Sequence, residues 1–140
     1  MKTGTAIRRW TWELPQSLLG FILKGFYKKT LLKVIEYGDQ KVYIYDKFPG
    51  GISLGYYTLI DYNRKDVENG VTRMSFKKSI KHESGHGIQS KYLGPLYLPT
   101  VGILSASWNL VHRVLSKFSN ISYYWFFVEK NADKLGKVER

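Results

Sequence analysis

The chain contains no cysteine, which excludes a disulfide framework and any thiolate metal ligand. Acid is scarce as well: 11 Asp and Glu stand against 22 Lys and Arg, for a formal net charge of +11. Histidine occurs only three times. No stretch reaches the roughly 18–20 uninterrupted apolar residues that a spanning helix needs. The nearest, "YLGPLYLPTVGILSASW" at residues 92–108, is broken by two prolines and two glycines and reads as a buried or interfacial segment. Near the N-terminus, Lys2, Arg8 and Arg9 precede "SLLGFIL" in the manner of an export signal. Lys24 interrupts that apolar run and no small-residue cleavage site follows, so the segment is read as mature structure. Internal repeats and linker-like composition shifts are also missing, and a single domain over residues 1–140 is the economical expectation.

What is present suffices for a core. The 140 residues are 44% hydrophobic and 16% aromatic, which excludes wholesale disorder. The positive balance favours acidic partners: nucleic acid, an anionic membrane surface or an acidic substrate. The basic residues come in small groups (Arg8-Arg9, Lys28-Lys29, Lys77-Lys78 with Lys81), and no aromatic-basic module of an RNA-binding type accompanies them. A nucleic-acid role is therefore the minor reading. A cytoplasmic location fits the lack of cysteine, with contact at a membrane periphery as a second expectation.

Hydrophobic periodicity outlines an α+β domain. Pro15 suits a first helical turn, and Leu18, Leu19, Ile22, Leu23 and Phe26 follow at helical spacing, predicting a helix over about residues 14–27. Its stripe is expected to face the core, while Lys24, Lys28 and Lys29 beside it keep a membrane-surface reading open. "LLKVIEY" and "KVYIYDKF" flank Gly38-Asp39-Gln40 as a hairpin, and "ISLGYYTLIDY" is a third strand, giving a small antiparallel sheet of about three strands. Residues 63–72 read as a loop. Helical spacing resumes near Ser75 through Phe76, Ile80 and Ile88, and again at Trp108, Val111, Leu115 and Phe118. The last element, "SYYWFFVEKNADKLG", reads as a helix whose "YYWFFV" run belongs to the core, with a hydrophobic substrate pocket as the minor reading.

Two of the three histidines lie in "KHESGH", residues 81–86, where His82-Glu83-Ser84-Gly85-His86 has H-E-x-x-H spacing. On a helix, residues four apart share a face, so both imidazoles can meet one ion. Zinc accepts neutral imidazole in tetrahedral geometry, and a catalytic site takes three protein ligands and leaves a place for water. Glu83 stands where such a motif carries the carboxylate that takes a proton from that water. The plain alternative is a helix with two surface histidines, although a chance H-E-x-x-H in a chain of this composition is roughly a one-in-a-few-hundred event. Gly85, unfavourable in a helix interior, predicts a second backbone packed closely against this helix. Gln89 and Ser90, one turn further on, are read first as packing groups and second as supports for the metal ligands. Later, "EKNAD" sets Glu129 and Asp133 four apart on one helical face.

H-E-x-x-H followed on a later helix by E-x-x-A-D resembles the gluzincin clan of zinc metallopeptidases. The resemblance implies one Zn2+ ion held by His82, His86 and Glu129, with Glu83 as general base and Asp133 orienting His82. More closely, "HESGHGIQSKYLGPLYLPTVGI" and "YYWFFVEKNADKLG" resemble small bacterial proteins built around H-E-x-G-H-x-x-Q-S, G-P-L-Y-L and E-K-x-A-D-x-L-G. The similarity covers about the last sixty residues well and "SLGYY" more loosely. The expectation is a departure from bigger gluzincins, whose large C-terminal domain carries their transition-state-stabilising residues and has no counterpart among these 140 residues. Candidates for that role here are His112, Arg113, Tyr123 and Tyr124, without a sequence-level way to choose among them. Zinc peptidases commonly add an extended substrate to a sheet edge, and Ser53, Leu54, Gly55, Tyr56, Tyr57 and Thr58 are the candidate strand.

The leading expectation is therefore a zinc-dependent metallopeptidase acting on a peptide or protein. The alternative is a non-catalytic zinc-binding module whose basic surface binds a membrane or acidic partner. A third reading is a toxin- or phage-associated effector turning the same chemistry on one host protein.

Overall fold

The computed structural model describes residues 3–140 and is an α+β arrangement. Helices α1 (Thr3–Thr11) and α2 (Leu14–Phe26) lead into strands β1 (Leu31–Tyr37), β2 (Gln40–Tyr45), β3 (Gly51–Leu54) and β4 (Tyr57–Asp61). Then follow α3 (Arg64–Glu68), α4 (Met74–Leu93), α5 (Ile103–Leu115) and α6 (Phe127–Gly136). Pro15 sits in the first turn of α2, as expected. Helix α1 was not anticipated, and the expected loop at 63–72 contains α3, whose first amides are capped by the Asn63 side chain.

The sheet has four strands in the order β1-β2-β4-β3, one more than the sequence pattern suggested. "ISLGYYTLIDY" divides because Gly55 adopts φ +62° and starts a two-residue reversal between Leu54 and Tyr57. The β3–β4 hairpin then inserts its second strand beside β2, with Val42 opposite Thr58 and Ile44 opposite Ile60. That pairing is parallel, so the sheet is mixed, not wholly antiparallel. It also leaves β3 on an outer edge.

Alternation along β2 and β4 feeds two apolar clusters on opposite faces. Val42, Ile44 and Ile60 pack with Ile80 of α4. Tyr45, Tyr57 and Leu59 pack with Phe48 and, from the helices before the sheet, Trp10, Leu23 and Tyr27. A third cluster of Tyr97, Val101 and Val128 secures the segment between α4 and α5 against α6.

A polar network joins α1 and α2 to α4. Arg9, 2% exposed, donates to Glu13 Oε1 at 2.5 Å and to the Gly87 carbonyl at 3.1 Å, and also engages Asp39. Gln16 Nε2 donates to Ser90 Oγ at 2.9 Å and to the Gly94 carbonyl at 2.8 Å. Ser90 Oγ in turn donates to Glu13, so the packing role expected of Ser90 is a polar one.

Three apolar stripes lie differently from expectation. On α2 the buried residues are Gln16, Ser17 and Gly20, while Leu18, Leu19, Ile22 and Phe26 are exposed. On α5 only Trp108 is buried. The aromatic run before α6 is mostly outside the core: Trp125 and Phe127 are exposed, and Tyr123 to Trp125 form a short 3-10 turn before the helix begins.

Candidate metal centre

Helix α4 buries an unusual face made of Ile80, His82, Glu83, Gly85, His86, Gly87, Gln89 and Ser90. Apolar periodicity is weak there because the side chains turned inward are polar or absent. Closest approach explains Gly85: a Cβ on it would collide with the Ala132 carbonyl of α6. Gly136 meets the Lys81 carbonyl in the same way, so the two helices cross almost backbone to backbone. This is the close partner that a glycine inside the motif predicted, and it carries Glu129 and Asp133 to the histidines.

His82 Nε2 lies 3.0 Å and His86 Nε2 2.9 Å from one oxygen, Glu129 Oε2. The three candidate ligand atoms all fall within 4.8 Å of one another, and all three residues are buried. A tetrahedral ion at 2.0–2.1 Å from its ligands sets neighbouring donors about 3.3 Å apart. The two imidazole–carboxylate distances are thus within a few tenths of an ångström of a spacing that suits a metal ion.

The outer nitrogens are held as ligating imidazoles require. His82 Nδ1 is 2.7 Å from Asp133 Oδ1. Asp133 is itself gripped by Arg140, at 2.7 Å through Nε and 3.0 Å through a terminal nitrogen. The Arg140 guanidinium lies 3.2 Å above the Tyr124 ring, which meets His82 edge-on at 5.2 Å. His86 Nδ1 is 2.7 Å from Gln89 Oε1. Gln89 Nε2 donates to the Val128 carbonyl at 3.1 Å and to Asn131 at 2.9 Å, which turns the amide oxygen toward the ring. Both Nδ1 atoms therefore carry hydrogen, and both Nε2 atoms face inward to Glu129. A bare Nε2 lone pair would repel the carboxylate oxygen, so the contact calls for a cation or an added proton on Nε2. Gln89, read from the sequence first as packing, thus fixes a tautomer.

The charges respond accordingly. Burial disfavours ionised Glu129, yet hydrogen bonds from His82 and His86 and the His86 charge outweigh it and hold the carboxyl well below its usual range. Burial also opposes a charged His86, but the hydrogen bond to Glu129, with the nearby Glu83 and Glu129 carboxylates, raises it to about 9. Ser105 Oγ donates to the other Glu129 oxygen.

Glu83 stands apart. Its Oε2 is buried without a hydrogen-bond partner, and desolvation pushes its carboxyl above the ordinary value against the pull of His86 and His82. Its other oxygen lies against Gly51 of β3, where a Cβ would come within 2.6 Å of it. Glu83, His82 and His86 form part of the wall of a cavity of about 1160 Å³, bounded by β3 on one side and by α2, α5 and the Tyr97–Gly102 segment on the others. Tyr97, buried, donates its hydroxyl to the Ser53 carbonyl at 2.9 Å.

Comparison with known proteins returns no family model, no curated protein and no solved structure that matches this chain.

The remaining sequence candidates divide. Tyr123 and Tyr124 line the cavity, and burial raises both phenols. His112 does not line it: its Nε2 contacts the Ile121 carbonyl at 2.8 Å and its ring packs on Trp108 and Tyr123. Arg113 is exposed on α5, also away from the wall. Of the candidate substrate strand, Ser53 and Leu54 are on edge strand β3, and Gly55 and Tyr56 form the turn. Tyr57 and Thr58 belong to β4, which is flanked on both sides and offers no free edge. The outer edge is Gly51–Leu54, exposed at Gly51 and half-buried at Ile52, with Ser53 and Leu54 buried. Because Ser53 turns its carbonyl to Tyr97, away from β4, the alternation of an antiparallel pair directs the Gly51 amide and carbonyl and the Ser53 amide outward too.

Ser105, Gln89, Tyr97, Gly51 and Arg140 complete the site. Only Gln89 carried a readable signal, its position one turn beyond His86.

Proposed function

We propose that the chain is a zinc-dependent hydrolase that cleaves peptide bonds. The observation that carries this reading is the unpartnered Glu83 oxygen beside three converging ligand atoms, in the wall of a cavity bordered by an outer strand edge. His82, His86 and Glu129 would hold the ion, and their donor set of two imidazoles and one carboxylate suits zinc. Bound there, zinc supplies Lewis acidity toward the scissile carbonyl and acidifies a water.

The protein's own groups do the rest. Glu83 Oε2 accepts a proton from the attacking water and returns it to the leaving nitrogen, a task helped by a carboxyl whose pKa burial has raised. The exposed Gly51 offers its main chain to an extended substrate, which would join the sheet at the start of β3. Tyr123 and Tyr124, neutral and facing the cavity, are the hydroxyl donors available to the developing oxyanion. The gluzincin resemblance agrees with the three ligands, with Glu83 as base and with Asp133 on His82; Gln89 performs the matching service for His86.

The test has two parts. Protein purified without chelators is expected to hold close to one zinc per chain, and Glu129→Ala to lose it. Glu83→Gln should retain the metal while peptide hydrolysis falls by at least about a hundredfold. A Glu83→Gln protein as active as the parent would end the assignment of this carboxylate as the base.

A further inference from the structure

Helices of folded proteins normally turn their apolar stripe inward, and α2 and α5 do the reverse. On α2, Leu18, Phe21, Ile22 and Phe26 are 48, 50, 58 and 78% exposed. On α5, Leu110, Val111 and Val114 are 66, 49 and 57% exposed, and Phe118 just beyond it is 84% exposed. Both helices border one opening, since Leu19 and Leu23 of α2 and Ile103 and Leu110 of α5 line the cavity that holds the candidate metal centre. Leu19, Ile103 and Leu110 are exposed as well, so the cavity wall grades into the outer faces of the two helices.

The charge carried by these two helices has one sign, while the acids near the opening, Asp61 and Glu83, belong to the cavity wall. Neither helix contains an acidic residue. Lys28 and Lys29 follow α2, and Arg113 and Lys117 lie at the end of α5, all four exposed. None of the four is in an ion pair among the described residues. Lys24 lies 4.6 Å over the Phe21 ring, its stem along the apolar face and its charge at the border. Among the described residues no helix is long and apolar enough to cross a membrane, so these helices suit a surface that they lie upon.

We propose that α2 and α5 together seat on an anionic lipid bilayer, with their apolar faces in the headgroup boundary and the flanking Lys and Arg on lipid phosphates. The cavity then opens against the bilayer. Apolar surface alone would equally suit a partner protein or a second copy; acid-free helices with unpaired cations at their ends select an anionic lipid surface. The proposal rests on this surface alone and stands whether or not the metal centre is a peptidase.

Co-sedimentation of the full chain with vesicles of phosphatidylcholine and phosphatidylglycerol in equal parts, beside phosphatidylcholine alone, tests it. Partitioning onto the anionic vesicles is expected to exceed that onto neutral ones by at least about tenfold, and to weaken as ionic strength rises from about 0.05 to about 0.5 M. Lys28→Glu/Lys29→Glu should lose more than about tenfold, given roughly fivefold for each cation removed. Phe21→Ser/Ile22→Ser and Val114→Ser/Phe118→Ser should each weaken binding by about tenfold or more. Because these side chains are exposed, melting temperatures should stay within a few degrees of the parent. If an apolar variant does not fold, the charge variant and the salt dependence of the parent decide. A parent that stays in the supernatant with anionic vesicles at low salt overturns the proposal. So does a parent dimer that the apolar substitutions convert to monomer while no form binds lipid, which would assign the faces to a second copy.

Discussion

Zinc binding to the metal-free protein should expel a proton, and the structure says from where. His86 is raised to about 9 by its contact with Glu129, so at pH 7, two units below, the ring is about 99% protonated. Its Nδ1 hydrogen is committed to Gln89, and the proton that must leave is the one on Nε2, between the ring and Glu129. One proton per zinc should therefore come from His86 near neutrality. Competition from that proton weakens binding at pH 7 by about a hundredfold, on the order of 3 kcal/mol, relative to pH above 9. Affinity should rise close to tenfold per pH unit between about 6.5 and 8.5. Calorimetric titration in two buffers of different ionisation enthalpy counts the protons directly. Glu129→Gln removes the charge that sustains the shift, so it should bind zinc more weakly and release far less proton at the same pH. The sign also fixes a stability trend. A folded-state value above the ordinary 6.5 gives the metal-free protein a contribution fully present below 6.5 and lost as pH rises through about 9. Tight zinc binding at pH 7 with no proton released would refute the assignment of His86 as a protonated partner displaced by metal.

Three further outcomes follow from single contacts. Gly85→Ala gains up to about 1 kcal/mol in helix propensity but drives a methyl into the Ala132 carbonyl, and overpacking against backbone costs about 1–3 kcal/mol. The melting temperature should drop by several degrees and zinc affinity with it, since Glu129 moves with α6; a stabilised variant would mean the two helices do not cross so closely. Ser105→Ala should weaken zinc binding by about tenfold, seen by competition with a chelator, because the hydroxyl fixes the oxygen of Glu129 that does not face the imidazoles. Burial works against ionised Asp39, but Arg9 and Arg8 hold its carboxyl below the ordinary value, so its contribution is present above about pH 4 and fades as pH falls through the lowered value. Asp39→Asn should therefore melt lower than the parent at pH 7, and the gap should narrow in acid below pH 4; a gap independent of pH would assign the loss to packing.

How far the sequence could be read depended on which force governed each residue. The convergence of His82, His86 and Glu129 was legible because ligand chemistry constrains both residue type and spacing, and Gly85 foretold the crossing of α4 and α6. The parallel β2–β4 pair was not legible, since it depends on Gly55 splitting one apolar run and on where the resulting hairpin docks. Periodicity misled at α2, α5 and "YYWFFV". It reports that a helix has an apolar side and is silent on what covers that side, and on α2 and α5 the described chain leaves most of it exposed. Ser105 and Tyr97 were invisible for a simpler reason: a lone serine or tyrosine far along the chain has no spacing to betray it.

These misreadings and the site share one cause. A helix at the middle of a domain ordinarily contributes apolar area, whereas α4 turns His82, Glu83, His86 and Gln89 inward and leaves the packing to Ile80 and the sheet. Burying polar groups is tolerable when each is hydrogen-bonded, and the imidazoles, Gln89, Glu129 and Asp133 all are. Glu83 Oε2 is the exception, at a cost of about 1–3 kcal/mol for a buried group left without a partner. Position 51 cannot supply the partner from the fold: a Cβ there would come within 2.6 Å of Glu83 Oε1, the other oxygen, so only glycine lets β3 lie against this carboxylate. Among the described residues of the centre, the missing hydrogen bond thus leaves Glu83 Oε2 as the polar atom that the fold itself does not satisfy, which is why the proposed reaction is built on it.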